Sequence, residues 1–252
     1  MKKFMVFLAA LAIFIPSLAA ADEFYVAVAS NFQVPAGEII KAFEEDTGHK
    51  AIPSFASTAQ IYSQIVNDRE VDIFLSADAA TPKKLEDEGR IKPGSRFTYA
   101  QGSLVLWSAT EGFVDSEGQV LKTGKWEHLA VANPKLAPYG AAAYQFLEAW
   151  GLLKGLEGTP KIVTGENITQ THSLAVSGAA QLGLLALSQV YRNGKFTSGS
   201  GWVVPSDLYS PILQDAVILK TAENKAAVQA FADYLKGEKA KQIILSFGYI
   251  LK

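Results

Sequence analysis

Three apolar, β-prone runs, Phe24–Ala29, His49–Phe55 and Val71–Leu75, are separated by two stretches whose apolar residues recur at helical spacing. In the first stretch Ile39, Ile40 and Phe43 fall among Glu38, Lys41, Glu44 and Glu45; in the second Ile61, Ile65 and Val66 follow Thr58. Pro35 suits a first helical turn, where its missing N–H would have no partner, and Gly48 stops that helix. After the third run, Ser76–Asp78 leads into a Lys- and Glu-rich helix ending at Gly89. Strand, helix, strand, helix, strand is the pattern of a mostly parallel sheet with helices on its faces.

The pattern changes near Tyr99–Gly102 and then starts again. Ser103–Trp107, Leu129–Ala132, Lys161–Val163 and Leu182–Leu187 read as strands, with helices over Ala141–Trp150 and Ile168–Ser177. Trp202–Pro205 precedes a further strand, Gln214–Leu219, and two closing helices, Lys225–Leu235 and Lys239–Phe247. The expected division is a leader over 1–21, a first lobe over 22–101, a second lobe over 102–204, and a return to the first lobe over 205–252. Two α/β lobes joined by more than one crossing suggest a clamshell.

Lys2 and Lys3 form a positive start, Phe4–Phe14 is apolar, Pro16 and Ser17 break it, and Ala19–Ala21 precedes Asp22. Small residues before Asp22 predict a cleavable export signal. A membrane anchor is the other reading, but 11 apolar residues fall short of the roughly 20 that span a bilayer. With no cysteine, neither a lipid on a leading Cys nor a disulfide framework is available. A soluble protein outside the inner membrane, in the periplasm, is expected.

Removing residues 1–21 from the 252 leaves 231, enough for two modest lobes. The 23 basic residues lose Lys2 and Lys3, so 21 stand against 25 acidic ones, a formal charge of −4. Such a balance offers no basic surface for nucleic acid. It does not exclude a small anion, because oriented backbone N–H groups act locally.

Four short segments sit where helices should begin: Ala29–Phe32, Phe55–Thr58, Ala137–Gly140 and Gly165–Ile168. Ser30, Asn31, Ser57, Thr58 and Asn167 have an ordinary use there, since a side-chain oxygen can cap free helix N–H groups. The functional alternative puts an oxyanion on those amides, with Ser30 and Thr58 also donating hydroxyls. Two such segments lie at the carboxyl ends of consecutive strands, where an open α/β sheet presents its ligand crevice. Gly140 would let backbone approach a ligand. The Tyr139 ring either closes one side of a pocket or packs between lobes. Glu166 would repel an anion and is expected to point away.

Little else suggests chemistry. Asp72 and Asp78 flank one strand and are more simply caps or ion-pair partners than the opposed carboxyls a glycosidase needs. His49, His128 and His172 lack metal-site spacing. Trp107, Trp126, Trp150 and Trp202 are scattered, as core or hinge residues would be.

At these segments the chain resembles the periplasmic molybdate-binding proteins, the substrate-binding components of molybdate ABC transporters. The resemblance runs through Val26–Asn31, Ser54–Thr58, Asp72–Asp78, Asn133–Gly140, Gly165–Ile168, Gly183–Gln189 and Phe247–Tyr249, in order, across essentially the whole mature chain. It implies a two-lobe, type II periplasmic-binding-protein fold of α/β class, with molybdate or tungstate held as the oxyanion in the interlobe cleft. It also implies donors from Ser30, Asn31 and Thr58 on one lobe, and from amides near Tyr139 and Ile168 on the other. Ser57, Gly140 and Asn167 would support them. One branch of the family donates a tyrosine hydroxyl from the segment matching Gly183–Ser188, where this chain has Ala186. That branch has a small residue where Tyr139 stands, so this chain resembles a second branch.

The resemblance further implies a monomer that binds without catalysis or cofactor, and a closed form recognised by an inner-membrane permease with a cytoplasmic ATPase. Molybdate is a tetrahedral dianion and needs donors only, each charge-assisted bond contributing roughly 1.5–3 kcal/mol. Sulfate has the same charge and shape but is smaller, so cavity size must discriminate. Tungstate should be poorly distinguished, and a protonated phosphate would bring a donor to a site with no acceptor. A receptor for another oxyanion such as sulfate is the alternative; a secreted hydrolase using Asp72 or Asp78 is the reading from a different class.

Overall fold

The computed structural model describes residues 21–251, so the expected leader, Ala21 apart, lies outside the described residues. The chain runs β1 (Glu23–Ala29), α1 (Gln33–Thr47), β2 (Lys50–Ala56), α2 (Thr58–Val66), β3 (Ile73–Leu75), α3 (Ala80–Asp87) and β4 (Phe97–Gly102). It continues through β5 (Leu104–Ser108), α4 (Val120–Thr123), β6 (Leu129–Ala132), α5 (Pro138–Ala149), α6 (Leu153–Leu156), β7 (Ile162–Gly165), α7 (Ile168–Val176) and β8 (Leu182–Ala186). A small hairpin, β9 (Tyr191–Arg192) and β10 (Lys195–Phe196), precedes β11 (Ser200–Val203), β12 (Ile212–Ile218), α8 (Ala226–Leu235) and α9 (Glu238–Ser246).

Two five-stranded sheets result, ordered β2-β1-β3-β12-β4 and β11-β5-β8-β6-β7. In each, the strands nearest the site are parallel: β2, β1 and β3 in the first, and β7, β6 and β8 in the second. Neither sheet is parallel throughout. β12 lies antiparallel between β3 and β4, and β5 and β11 run antiparallel beside β8. The sequence contains β4 as Phe97–Gly102, a strand not anticipated, because Thr98, Gln101 and Gly102 interrupt its apolar pattern. The chain passes between sheets at Ser103 and returns between Val203 and Ile212.

Each sheet is covered on both faces. Phe24, Val26 and Val28 of β1 pack with Ile39 and Phe43 of α1 and Phe231 of α8, while Ala27 and Phe74 face Ile61, Ile65 and Leu85. In the second sheet Leu129 and Val131 pack against Phe146 and Leu147 of α5, and Val105 and Trp107 pack with Ala175 of α7. Burying such side chains contributes roughly 1.5–3 kcal/mol each before conformational entropy is charged against it.

Local signals explain the element ends that matter for the site. Gly48 closes α1 with φ at 75°, its N–H donating to Glu44 O at 2.9 Å. α5 starts at Pro138, three residues before the expected Ala141, because proline is preset for the first helical position. β3 is two residues shorter than the expected Val71–Leu75, and the Asp72 carboxylate just before it accepts from Tyr25 N and Lys225 Nζ.

Candidate functional site

The carboxyl ends of β1, β2 and β3 face those of β6 and β7, and a small cavity lies between them. Ala29, Ser30, Asn31, Ser57, Thr58 and Ala77 line it from the first sheet's side; Ala137, Pro138, Tyr139 and Ile168 line it from the second. So small a space holds nothing larger than a single small ion, whereas pockets for larger organic ligands run to roughly 300–1,000 Å³. No lining residue carries a charge. Thr58, Ala77, Ala137 and Pro138 also border a wider groove that reaches Lys135 and Ser210.

Helix starts make this place a donor cage. The first N–H groups of a helix have no intrahelical acceptor, and four helical segments begin here: the 3-10 turn Ser30–Phe32 leading into α1, then α2, α5 and α7. In α2, Ser57 is the N-cap: its Oγ accepts from Gln60 N, and the Gln60 side chain reaches back to Ser57 N at 3.1 Å. Ala59 N donates to Leu136 O on the opposite side of the cleft at 3.2 Å, leaving the Thr58 N–H as the unclaimed amide of that turn. In α7, Asn167 Oδ1 accepts from Gln170 N at 2.9 Å, leaving the Ile168 N–H. In α5, Pro138 has no N–H, so Tyr139 supplies the first amide. Asn31 is the second residue of its turn and offers its own N–H.

The hydroxyls divide by role. Thr58 Oγ1 accepts from Ala77 N at 3.2 Å, which leaves its proton to donate. Ser30 is 7% exposed, and among the described residues its hydroxyl has no hydrogen-bond partner while its carbonyl accepts from Thr169 Oγ1 across the cleft at 3.3 Å. Ser57 Oγ is committed to Gln60, at 2.9 Å from Gln60 Oε1.

Of the expected residues, Ser30, Asn31, Ser57, Thr58, Tyr139 and Ile168 come together around the cavity, and Asn167 and Gly140 do not line it. Asn167 is the cap that frees the Ile168 amide. Gly140 permits a close approach to backbone rather than ligand: a Cβ there would lie 2.3 Å from Ala132 O. Neither Asn31 nor Tyr139 turns its side chain to the cavity. Asn31 Nδ2 donates to Gln214 Oε1 at 2.9 Å and to the Tyr249 hydroxyl at 3.0 Å, so its backbone N–H is what it offers. Tyr139 is 1% exposed, and its hydroxyl accepts from Gln214 Nε2 at 3.1 Å. Burial holds the Tyr139 phenol well above the usual tyrosine range, so it stays neutral.

Gln214, Tyr249 and Ser188 were not singled out from the sequence. A glutamine and an aspartate inside the apolar strand at 212–218 were the available signal, because buried polar side chains need partners.

The acidic candidates are occupied elsewhere. Asp72 holds Tyr25 N at 2.8 Å and Lys225 Nζ at 2.7 Å. Asp78 accepts from Thr81 N at 2.8 Å and Thr81 Oγ1 at 3.1 Å; burial pushes its carboxyl up and those bonds pull it back. Glu166 is exposed. Among the described residues no group of three or more His, Cys, Asp or Glu side chains is placed to hold a metal ion, and no helix is long and apolar enough to cross a membrane.

Comparison with known proteins places the chain in a family. The chain is 54% identical over 234 residues to the molybdate-binding protein ModA of Azotobacter vinelandii, covering 93% of this chain and 92% of that one. It is 50% identical over 232 residues to ModA of Rhodobacter capsulatus, covering 92% and 90%. The solved periplasmic molybdate-binding protein of Azotobacter vinelandii superposes with a TM-score of 0.88 at 43% identity, covering 91% of this chain and 99% of that one. A family model described as bacterial extracellular solute-binding protein matches residues 24–250. The chain therefore belongs to the bacterial extracellular solute-binding proteins, a family of receptors and not of enzymes.

Proposed function

We propose that this protein captures molybdate, and tungstate with it, and delivers the oxyanion to an inner-membrane ABC permease driven by a cytoplasmic ATPase. The observation that carries the reading is the cavity between the two sheets: it gathers hydroxyl and backbone donors from both sides and contains no charged side chain. A fully ionised tetrahedral anion needs only donors, and unpaired amides at helix starts supply them without a counter-charge. The relatives at 54% and 50% identity are named as molybdate-binding, which supports the choice of anion.

The donors in this reading are the hydroxyls of Ser30 and Thr58 and the N–H groups of Asn31, Thr58, Tyr139 and Ile168. Residues 22–101 with 205–252 form one lobe and 102–204 the other, which accords with the strands each sheet recruits. The anion binds one lobe and completes its bonds when the other closes, shifting a hinge equilibrium by its differential affinity for the two forms. No cofactor takes part. The protein works as a periplasmic monomer after removal of its leader, a reading supported by the charged-then-apolar start of the chain.

Thermal unfolding of the mature, anion-stripped protein against a panel of anions tests this. At a hundredfold excess over Kd a ligand adds about 2.7 kcal/mol, a rise in Tm of roughly 5–10 °C for a chain of this size. Molybdate and tungstate should produce that rise, with sulfate and phosphate far behind. A rise with sulfate alone would make the protein a receptor for the smaller oxyanion.

A further inference from the structure

Behind the cavity lies a buried cluster of hydrogen-bonded side chains drawn from both halves of the molecule. Gln214 is its centre and is fully buried. Gln214 Oε1 accepts from Asn31 Nδ2 at 2.9 Å and from the Tyr99 hydroxyl at 3.0 Å, and Gln214 Nε2 donates to the Tyr139 hydroxyl at 3.1 Å. Ser188 Oγ donates to Asn31 O at 2.9 Å, and the Tyr249 hydroxyl donates to Ser188 Oγ at 3.0 Å. Burial pushes the Tyr249 phenol up to about 12 and raises Tyr99 as well, so the cluster is neutral throughout.

The cluster straddles the boundary between the two sheets. Asn31, Tyr99 and Gln214 belong to elements of the first, and Tyr249 packs in the first sheet's core, while Tyr139 and Ser188 belong to elements of the second. The bonds Gln214–Tyr139, Ser188–Asn31 and Tyr249–Ser188 therefore cross between them.

Two features aim Gln214 at this point. The register of β12 against β4 shifts between Gln214 and Asp215, a bulge that sends Asp215 to Arg96 and Thr98 and Gln214 to the cluster. Beside it, Gly102 leaves room that any side chain would fill: a Cβ there would lie 1.9 Å from the Tyr139 hydroxyl and 2.7 Å from Gln214 Nε2.

We propose that Gln214 is a positioning residue that couples anion capture to closure of the two halves, an inference that rests on the anion-receptor reading above. Asn31 and Tyr139 each present a backbone N–H to the cavity and a side chain to Gln214. The anion and Gln214 thus hold the same two residues from opposite sides. When the halves separate, the Tyr139 hydroxyl and Gln214 Nε2 each meet water; when they close, water is excluded and the two groups pair with each other. Deleting one partner penalises the closed form alone, since an unpaired buried group pays its full desolvation. Such a device acts on release of the anion and leaves encounter untouched.

Tyr139→Phe, Gln214→Leu and the double variant are the test, with molybdate association and dissociation followed by stopped-flow tryptophan fluorescence. Ser188→Ala provides a further interlobe deletion should Gln214→Leu not fold. Wild-type protein is measured first: no molybdate binding there sinks the receptor reading itself. Given wild-type binding, Tyr139→Phe and Ser188→Ala are expected to raise koff by about five- to tenfold with kon within about twofold. Tyr139→Phe should add nothing in the Gln214→Leu background. Unchanged koff with only a lowered Tm of the anion-free protein would overturn the coupling and leave the cluster a core feature. Independent, multiplying effects of the two substitutions would overturn it equally.

Discussion

The Tyr139 hydroxyl meets Gln214 Nε2 at 3.1 Å in the space that a side chain at residue 102 would occupy. One residue thereby places its backbone at the cavity and a phenol in the seam between the two sheets, so the geometry of the cavity and the fit of the halves depend on each other.

Gly102 is required for that fit. An alanine there puts Cβ 1.9 Å from the phenol oxygen, and its φ is unremarkable, so the conflict is steric. Gly102→Ala should cost about 1–3 kcal/mol, the usual penalty for overpacking, and weaken anion binding roughly tenfold. Adding Tyr139→Phe removes the nearest atom and should restore part of the stability. Denaturant unfolding of the single and double variants checks this; no recovery in the double variant would place the strain elsewhere.

Ser30 and Thr58 differ from the amide donors in being removable by substitution. Ser30→Ala and Thr58→Val should each weaken molybdate binding by about 10- to 100-fold, the worth of one charge-assisted bond. Thr58→Val also strips Ala77 N of its acceptor and should lower the Tm of the anion-free protein. Thr58→Ser, which keeps the oxygen, should bind nearly as the wild type does. Unchanged affinity in both Ser30→Ala and Thr58→Val would remove the hydroxyls from the site.

Ser57 lines the same cavity but answers to its own helix. Losing an N-cap costs about 1 kcal/mol, which for a protein of this size is a fall of roughly 2–4 °C in Tm. Ser57→Ala should show that fall with affinity held within about twofold. A large loss of affinity with unchanged Tm would reverse the roles of Ser57 and its neighbour.

Neutral donors also fix the pH dependence. Burial raises Tyr139, and raises Tyr249 to about 12, while no charged side chain lines the cavity. Asp78, raised by burial, does not line the cavity and is held by Thr81 N and Oγ1. Affinity for molybdate should therefore be flat between about pH 7 and pH 9, because the cavity lining carries no charged side chain and its tyrosine stays neutral there. A titration of Kd against pH that slopes through this window would require an ionisable donor.

How much of this was legible depended on distance along the chain. Thr58 and Ile168 could be found because a strand end, a capping residue and a helix start are neighbours in sequence. The same local signals identified both possible uses of Ser57 and Asn167, and the structure has them as caps that leave free the amide of the next residue, Thr58 or Ile168. Asn31 carried a cap signal too, but its side-chain Nδ2 reaches Gln214, 183 residues away, which no local pattern encodes. β4 was missed because its polar residues face β12, a strand contributed more than a hundred residues later and running against its neighbours. Tyr139 was marked as either a pocket wall or a packing residue; its backbone lines the cavity and its ring packs between the halves.

The most direct test of the central claim is calorimetric titration of the mature, anion-stripped protein with molybdate, repeated with sulfate present in large excess. Tight one-to-one binding that survives the sulfate is the predicted result, since a rigid cage of neutral donors selects by size at equal charge. Heat that vanishes in sulfate, or no heat at all with molybdate or tungstate, would contradict it.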